Sequence, residues 1–385
     1  MAQSRPISTM TSLDAFRGIF ALYIANFHVP WENHIFYIPF FEHGYPALDM
    51  FFILSGFLML LLYEGQLKNR TQAWDFVKKR FGRIYPLHLF TLGLALCYEV
   101  ARLIASSHGL APLNPGEAVP LSTEAASNVT TFISNLFLTH GIGLHDALSF
   151  NGPSWSVSVE FYTYLVFAVV MLFAAPKKLW HYLLLAIGVA AIYNWLAKTQ
   201  ASLNISYDYG FLRCLAGFGA GMIACKLYET ASAYFNNASY LFVSIVEFIL
   251  FFSLLYWLSE ISGKSAGTAR LNFAVAPLLM ANIIVFAYGR GVLSKFFAHT
   301  VFQYLGKISY SIYLNHVIIA NVMYIGYQLA VSRGWSPTFL QGDLLLLLFF
   351  ALVIVFSHFT YHYVEVPGGR FIRTLGRRQT PQSSA

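Results

Sequence analysis

Charged residues are scarce in this chain, and their scarcity argues against a soluble globular protein. Lys, Arg, Asp and Glu together make up 11% of the 385 residues, whereas a soluble domain carries about 25%. Hydrophobic residues make up 57%, and the mean hydropathy is +0.58. Long apolar runs recur along the whole sequence. The composition therefore predicts an all-α polytopic membrane protein rather than a soluble enzyme with a single anchor.

Cysteine and the familiar ligand motifs are also lacking. The three cysteines all lie within apolar segments, which favours neither a disulfide framework nor a zinc site. HExxH, CxxC and clustered acidic ligands are absent, so we expect no metal. The glycine-rich run RCLAGFGAG matches no nucleotide-binding loop and predicts close helix packing. The net charge of +7 does not indicate nucleic acid, because the basic residues lie mostly at helix ends.

The apolar runs divide into ten segments of roughly 20 residues, each long enough to cross a bilayer. A shorter apolar stretch, at about 129–140, predicts an interfacial or re-entrant helix. We expect a single transmembrane domain over residues 1–370 and a short polar tail over 371–385. The predicted spans are 13–31, 46–63, 84–106, 155–174, 179–197, 209–228, 239–259, 270–289, 309–330 and 342–364.

The distribution of Lys and Arg predicts the orientation of the chain. With the N-terminus inside, eighteen of the 24 basic residues fall on the inner side and six on the outer side. Cytoplasmic loops of membrane proteins carry such an excess of positive charge. We therefore predict that both termini are cytoplasmic and that the number of spans is even.

The first apolar segment carries Arg17 and His28 eleven positions apart. At about 100° per residue the two side chains fall within ~20° of one another around the helix, and roughly 16 Å apart along it. Two interpretations are open: an Arg that snorkels with a His that bonds a neighbouring helix, or a functional pair. We favour the second, because ionisable groups inside a membrane are costly and usually functional.

Five segments follow one another along the chain: LDAFRGIFALYIANFH, DMFFILSGFLM, KKRFGRIYPLH, NGPSWSVSVEF and LGKISYSIYLNH. In this order they resemble the membrane acyltransferase-3 family, from about residue 13 to residue 367. The most specific elements are the Arg-x10-His pair and the Pro-x-Trp-Ser segment that leads to Glu160. The resemblance implies transfer of an acyl group, often acetyl from acetyl-CoA, to a hydroxyl of a sugar. Some members carry a C-terminal SGNH-type hydrolase domain. We expect none here, so any step that it performs would be absent or supplied by a partner.

The predicted catalytic pair is His28 and Glu160. Acyl transfer to a hydroxyl needs a base that titrates near neutral pH, and imidazole is the natural choice. A carboxylate at the same depth would orient the imidazole, as in hydrolase triads. Glu160 is the first candidate, with Asp49 in reserve. The alternatives are a structural pair between Glu160 and Arg213, and a nucleophilic His28 that carries the acyl group.

The predicted donor site lies at the inner face, where cytosolic acyl-CoA would bring its phosphates. The family's Arg-x-x-Arg pattern assigns Arg80 and Arg83 to this site, and arginine suits bidentate binding of phosphate. Arg17 and Lys78 are further candidates, although a basic run at a helix end is also an ordinary topology signal. His316, on the inner half of its span, is predicted either to contact the donor or to be a hydrogen-bonded core residue.

The acceptor site is predicted near the outer face, from Asp49, Trp155 and Arg213. We expect the acceptor to be a glycan or glycolipid of the cell surface or of an exported polysaccharide. Membrane lipids and glycan-assembly machinery are the expected partners, in a bacterial cytoplasmic (inner) membrane. One alternative acceptor is a small-molecule glycoside such as a macrolide. The alternative to an enzyme is a transporter or flippase of a glycan or its precursor.

Overall fold

A computed structural model describes residues 10–35, 38–42, 44–108, 117–262 and 270–375 of this chain. Helices dominate, and the described residues contain no strand. Short 3-10 segments occupy Gly152–Ser154 and Arg270–Ala274, and a π-helical turn occupies Tyr361–Glu365. The helices are α1 (Thr11–Phe27), α2 (Pro39–Glu42), α3 (Ala47–Tyr63), α4 (Arg70–Ser107), α5 (Val129–Leu136), α6 (Trp155–Phe173), α7 (Leu179–Thr199), α8 (Gly210–Asn237), α9 (Tyr240–Ser262), α10 (Val275–Ala287), α11 (Val292–Phe297), α12 (Thr300–Lys307), α13 (Ser309–Ser332), α14 (Phe339–Thr360) and α15 (Val366–Thr374).

Each of the ten predicted spans overlaps one of these helices. Within the described part of the chain, seven helical stretches are long and apolar enough to cross a bilayer. Three further helices, α1, α3 and α10, have 17, 17 and 13 residues. The all-α membrane fold is therefore confirmed, while the number of ten crossings stays a prediction.

The short apolar stretch also forms its own helix, α5. Asn128 caps it, with a side chain that accepts a hydrogen bond from the backbone N–H of Thr131. Val129 and Ile133 on α5, with the adjacent Phe137, are exposed. One exposed apolar face on a short helix fits the predicted interfacial position.

Helix α4 begins earlier than predicted. The expected span 84–106 is the second part of a 38-residue helix that starts at Arg70 and contains Pro86. Asn69 caps this helix by accepting a hydrogen bond from the N–H of Gln72. Hydropathy misses the first turns because they are polar, although Lys, Arg and Gln are good helix formers. The basic run KKRFGR therefore lies inside a continuous helix rather than at its end.

At the C-terminal end, helix α15 continues to Thr374, so the first four residues of the predicted polar tail, 371–385, are helical. Residues 376–385 lie outside the described part of the chain, and the tail stays a prediction. Gly82 on α4 faces Gly369 on α15, where a Cβ at Gly369 would lie 2.6 Å from the Gly82 carbonyl oxygen. This close crossing brings the end of the chain against the basic part of α4.

Helices α3 and α8 form a tightly packed pair. A Cβ at Gly56 would collide with the backbone of Phe218, and a Cβ at Gly221 would collide with the backbone of Ile53. Small residues permit such close approach between membrane helices. The prediction that RCLAGFGAG serves helix packing is therefore confirmed.

Candidate active site

A first cavity, of about 160 Å³, lies where α1, α3, α4, α6 and α13 meet. Arg17, Arg80 and Arg83 bring three guanidinium groups to its wall, and Glu160 brings one carboxylate. We call it the arginine cavity. Three residues that the sequence assigned to the donor and one that it assigned to catalysis therefore line a single space.

Two of these arginines have carboxylate partners. Arg83 bonds Glu365 of the π-helical turn, whose other carboxylate oxygen accepts a hydrogen bond of 2.8 Å from Ser311. Arg17 lies 3.4 Å from Asp14, one turn earlier on α1. Both pairs reduce the positive charge of the wall without removing it.

Arg80 differs from its two neighbours. Its Nη2 donates to the Tyr63 hydroxyl at 3.3 Å, and its guanidinium lies 5.7 Å from the centre of that ring. Among the described residues it has no carboxylate partner within ion-pair distance, and its buried Nε has no hydrogen-bond partner. Buried donors are nearly always bonded in folded proteins. Arg80 therefore keeps bonding capacity for a ligand.

Glu160 is bonded within the arginine cavity and not to His28. Its Oε1 accepts hydrogen bonds from the Ser55 hydroxyl at 2.5 Å and from the Tyr164 hydroxyl at 2.6 Å. The predicted direct contact between Glu160 and His28 is therefore wrong. Similar depth in two helices does not make two residues neighbours, because rotation of each helix about its axis decides which face meets which.

A second cavity, of about 200 Å³, is lined by His28, Trp155 and Arg213 together with Asn204 and Ser206. We call it the histidine cavity. It brings together three residues that the sequence placed near the outer face, and it adds polar side chains from the segment that precedes α8. A mixture of an aromatic ring and hydrogen-bonding groups suits a polar organic ligand.

Arg213 and Asp49 form a buried ion pair beside the histidine cavity. Arg213 Nη2 lies 2.7 Å from Asp49 Oδ2, and both side chains are essentially unexposed. The backbone carbonyls of Tyr45 and Ile205 accept the remaining Arg213 hydrogen bonds, at 2.6 and 3.1 Å. The alternative pairing of Glu160 with Arg213 is therefore wrong. Asp49 holds Arg213 and does not line either of these two cavities.

The two cavities share part of their walls. Leu48 and Tyr313 line both. The Tyr313 hydroxyl donates to the carbonyl oxygen of Pro153 at 2.8 Å and lies 2.7 Å from the Ser156 hydroxyl. Tyr313 is therefore held in place between a space lined by arginines and a space lined by His28.

His28 follows the last residue of α1 and lies within hydrogen-bond distance of His316. His28 Nδ1 lies 2.9 Å from the carbonyl oxygen of Ile24 and 3.2 Å from His316 Nε2. His316 is fully buried and lines neither of the two cavities. The prediction that His316 contacts the donor is therefore not supported by its position, whereas its alternative, a hydrogen-bonded core residue, describes that position.

Lys78 lies outside the arginine cavity. Its Nζ forms an ion pair of 2.9 Å with Asp75, three residues earlier on α4. Two positions along a helix turn the side chain by about 200°. Lys78 and Arg80 therefore face opposite ways although they belong to one basic run.

Comparison with known proteins decides the family. The acyltransferase-3 family, described as "Acyltransferase domain", matches residues 10–362. The chain belongs to this family. Protein 2 in the picA locus of Rhizobium radiobacter is 31% identical over 170 residues, which cover 44% of this chain and 85% of that protein. No solved structure matches this chain.

Two longer matches each cover most of this chain. Acyltransferase MdmB of Streptomyces mycarofaciens is 25% identical over 362 residues, which cover 87% of this chain and 83% of MdmB. Peptidoglycan O-acetyltransferase OatA of Listeria monocytogenes is 20% identical over 377 residues. That match covers 92% of this chain and 55% of OatA.

Sequence reasoning missed two polar residues of this acyltransferase fold, Tyr164 and Tyr313. Tyr164 lies four residues after Glu160, a spacing at which helical side chains meet, and that signal was available. Tyr313 had no such signal, because an aromatic residue in a span indicates ordinary packing.

Proposed function

We propose that this protein is an integral-membrane O-acyltransferase that moves an acyl group, acetyl in the first instance, from acyl-CoA to a hydroxyl of a sugar. The observation that carries the proposal is the common wall of the two cavities. A space lined by three arginines adjoins a space lined by a histidine, with only Leu48 and Tyr313 shared between them. A donor that carries phosphates and an acceptor that needs a base can thus meet within one membrane domain.

The arginine cavity is proposed as the entry of the donor. A cavity of about 150 Å³ admits a molecule the size of benzene, so the arginine cavity holds only the thioester end or one phosphate of acyl-CoA. The nucleotide remains at the mouth. Arginine suits bidentate bonds to phosphate, and the unbonded Arg80 Nε is a ready donor. Glu160 then balances part of the positive charge while the site is empty.

His28 is proposed as the general base. Its ring lines the histidine cavity, where the acceptor hydroxyl approaches. As the hydroxyl oxygen attacks the thioester carbonyl carbon, His28 Nε2 takes the hydroxyl proton. The C–S bond then breaks, and the same proton passes to the sulfur of the departing coenzyme A. The other route forms an acyl-imidazole on His28 first, and a labelled enzyme without acceptor would reveal it.

The acceptor is proposed to be a glycan or glycolipid hydroxyl. The similarity to OatA, a peptidoglycan O-acetyltransferase, supports a cell-envelope glycan, and Trp155 offers a ring on which a sugar can stack. A macrolide-like glycoside is the alternative acceptor. Membership of an acyltransferase family favours transfer over the transporter hypothesis.

The proposed location is the bacterial inner membrane, with both termini and the arginine cavity toward the cytoplasm. The excess of Lys and Arg on that side supports the orientation. The acyl group would then cross toward the outer leaflet within the protein. Glycan-assembly enzymes that present the acceptor there are the proposed partners.

The test uses purified full-length protein in lipid nanodiscs, with acetyl-CoA labelled in the acetyl group and separate panels of glycans, glycolipids and macrolides. We expect label in an acceptor hydroxyl, and a loss of about 100-fold or more in His28→Gln. Binding of acetyl-CoA, measured separately, should change less than about twofold. His88→Gln is the matched control, because His88 is buried and bonds the Asn135 carbonyl oxygen at 2.9 Å, away from both cavities.

The result that overturns the proposal is a wild-type protein that neither binds acetyl-CoA nor labels any acceptor. The transporter hypothesis would then take its place. Equal activity of His28→Gln and the wild type would instead reject His28 as the base while leaving the transfer reaction standing.

A further inference from the structure

We propose that His316 is a positioning residue that, together with the Ile24 carbonyl oxygen, holds the tautomer and the direction of the His28 imidazole, the part that a carboxylate plays in hydrolase triads. The inference deepens the proposed function at the same site and rests on it for the meaning of the base. It starts from one contact, the 3.2 Å between His316 Nε2 and His28 Nδ1.

The first step concerns the proton on His28. Its Nδ1 lies 2.9 Å from the carbonyl oxygen of Ile24, and a carbonyl oxygen only accepts hydrogen bonds. Nδ1 therefore carries the hydrogen. In the neutral ring the lone pair is then on Nε2, which no described protein group bonds. The base is thus prepared on the nitrogen that remains for the acceptor.

The second step concerns the proton on His316. It shows independently that the hydrogen bond between the two rings is donated by His28 and accepted by His316. Its Nδ1 lies 3.3 Å from the carbonyl oxygen of Ile312, so Nδ1 carries the hydrogen and Nε2 carries the lone pair. That lone pair faces the His28 Nδ1–H. The opposite tautomers would set lone pairs against the two carbonyl oxygens. Two backbone groups on different helices, α1 and α13, therefore select one consistent arrangement.

The third step concerns the access of ligands. His316 is fully buried and lines neither of the two cavities. Its ring lies 4.9 Å from the ring of His28 and 5.8 Å from that of Tyr313. A buried imidazole without a cavity wall acts through His28 rather than on a substrate.

The fourth step concerns the charge that forms during transfer. When His28 Nε2 takes a proton, the positive charge strengthens the bonds from Nδ1–H to Ile24 and His316. A neutral imidazole as acceptor costs less to bury in an apolar bundle than a carboxylate would. This explains why the base has a histidine and one backbone carbonyl as its partners, while Glu160 lies with the arginines.

The first test compares His316→Leu, His316→Gln and the control His88→Leu in the acetyl-transfer assay. Leu removes the side-chain acceptor for the His28 Nδ1–H and leaves the Ile24 carbonyl oxygen, so we expect kcat to fall about tenfold, with KM for acetyl-CoA and acceptor within about twofold. The amide oxygen of Gln can accept that hydrogen, so His316→Gln should restore most of the lost kcat. His88→Leu removes another buried histidine and should leave kcat within about threefold of the wild type.

The second test needs no substrate. Diethylpyrocarbonate transfers a carbethoxy group to the unprotonated nitrogen of an accessible imidazole, and peptide mass spectrometry reads the rate at His28. We expect His28 to be carbethoxylated in the wild type and in His316→Gln. In His316→Leu we expect its rate of carbethoxylation to be at least about threefold lower than in the wild type.

The outcomes separate the two proposals. If no variant transfers acetyl but the carbethoxylation rates follow this order, the proposed function fails and the positioning of His28 by His316 stands. If the wild type transfers acetyl while His316→Leu matches it in kcat and in carbethoxylation, the positioning role is overturned. Equal losses of kcat in His316→Leu and His316→Gln would also overturn it.

Discussion

The two cavities both contain arginine, yet they use it differently. Arg213, beside the histidine cavity, bonds Asp49 and two backbone carbonyls, so each of its three nitrogens has a protein partner. Arg80, in the arginine cavity, bonds one hydroxyl and keeps a buried Nε without a partner. The difference teaches that a buried charge is not by itself a binding group. The bonds it already makes decide whether it serves the fold or a ligand.

The largest effect is expected at Arg213, where the contrast between Arg213 and Arg80 predicts a loss of stability. Arg213→Met leaves the Asp49 carboxylate buried without its partner, which costs about 3–5 kcal/mol of unfolding free energy. Thermal unfolding in detergent, together with the yield of monodisperse protein, measures the loss. The double variant Asp49→Asn with Arg213→Met should recover most of it, because no uncompensated charge remains.

A partly exposed ion pair provides the control for that experiment. Lys78 pairs with Asp75 at 2.9 Å, with 24% and 51% of the two side chains exposed, so Lys78→Met should cost about 1 kcal/mol or less. If Arg213→Met is no more destabilising than Lys78→Met, the Arg213–Asp49 pair does not have the structural role assigned to it.

The second effect is expected at Arg80, where the comparison predicts a loss of donor binding with the fold intact. Arg80→Met should weaken binding of acetyl-CoA about 10- to 100-fold, the range of one or two charge-assisted hydrogen bonds. Its unfolding temperature should stay close to that of the wild type. Isothermal titration measures the binding, and Lys78→Met, on the same helix but outside the cavity, is the matched control. Equal weakening in both variants would mean a general electrostatic effect.

A third, smaller effect is expected at the wall between the cavities. Tyr313→Phe removes the hydroxyl bonded to Pro153 and Ser156 and keeps the ring. A less firmly held wall should admit water to the thioester, so hydrolysis of acetyl-CoA without acceptor should rise about three- to tenfold. Release of free coenzyme A measures it. Tyr162→Phe should leave hydrolysis unchanged, because this half-buried tyrosine on α6 lines neither cavity and donates its hydroxyl to the Phe137 carbonyl oxygen. An equal rise in that variant would show that Tyr313 does not keep water from the thioester.

The smallest effect is expected at Glu160. It distinguishes a carboxylate that balances the charge of the arginine cavity from one that the chemical step needs. Glu160→Gln keeps an oxygen that accepts from Ser55 and Tyr164 but removes the negative charge from the arginine cavity. We expect KM for acetyl-CoA to fall about two- to fivefold, because the remaining wall attracts anions more strongly, with kcat within about threefold. Steady-state kinetics measure both. A loss of kcat of about 100-fold would restore Glu160 as a group that the chemical step needs.

Helix identity and residue partnership were predictable to different degrees. Each predicted span overlaps a helix, because twenty apolar residues in a row leave few alternatives in a bilayer. The start of α4 at Arg70 was not predictable from hydropathy, since its first turns are polar. Of the site residues, Arg80 and Arg83 were correctly expected together, being three apart on one helix. The direct pairing of His28 with Glu160 was not correct, because it depended on how separate helices turn toward each other.

Sequence by itself determined the membrane class, the helices, the family and the placing of Arg17 and His28 on one helix, because these depend on composition, local periodicity and ordered motifs. Only the tertiary structure decided the partners. His28 meets His316 across 288 positions, Arg83 meets Glu365 across 282, and Arg213 meets Asp49 across 164. Such contacts follow from which ridges of one helix fill the grooves of another. That choice is made by the packing of the whole bundle, and no local segment of the chain encodes it.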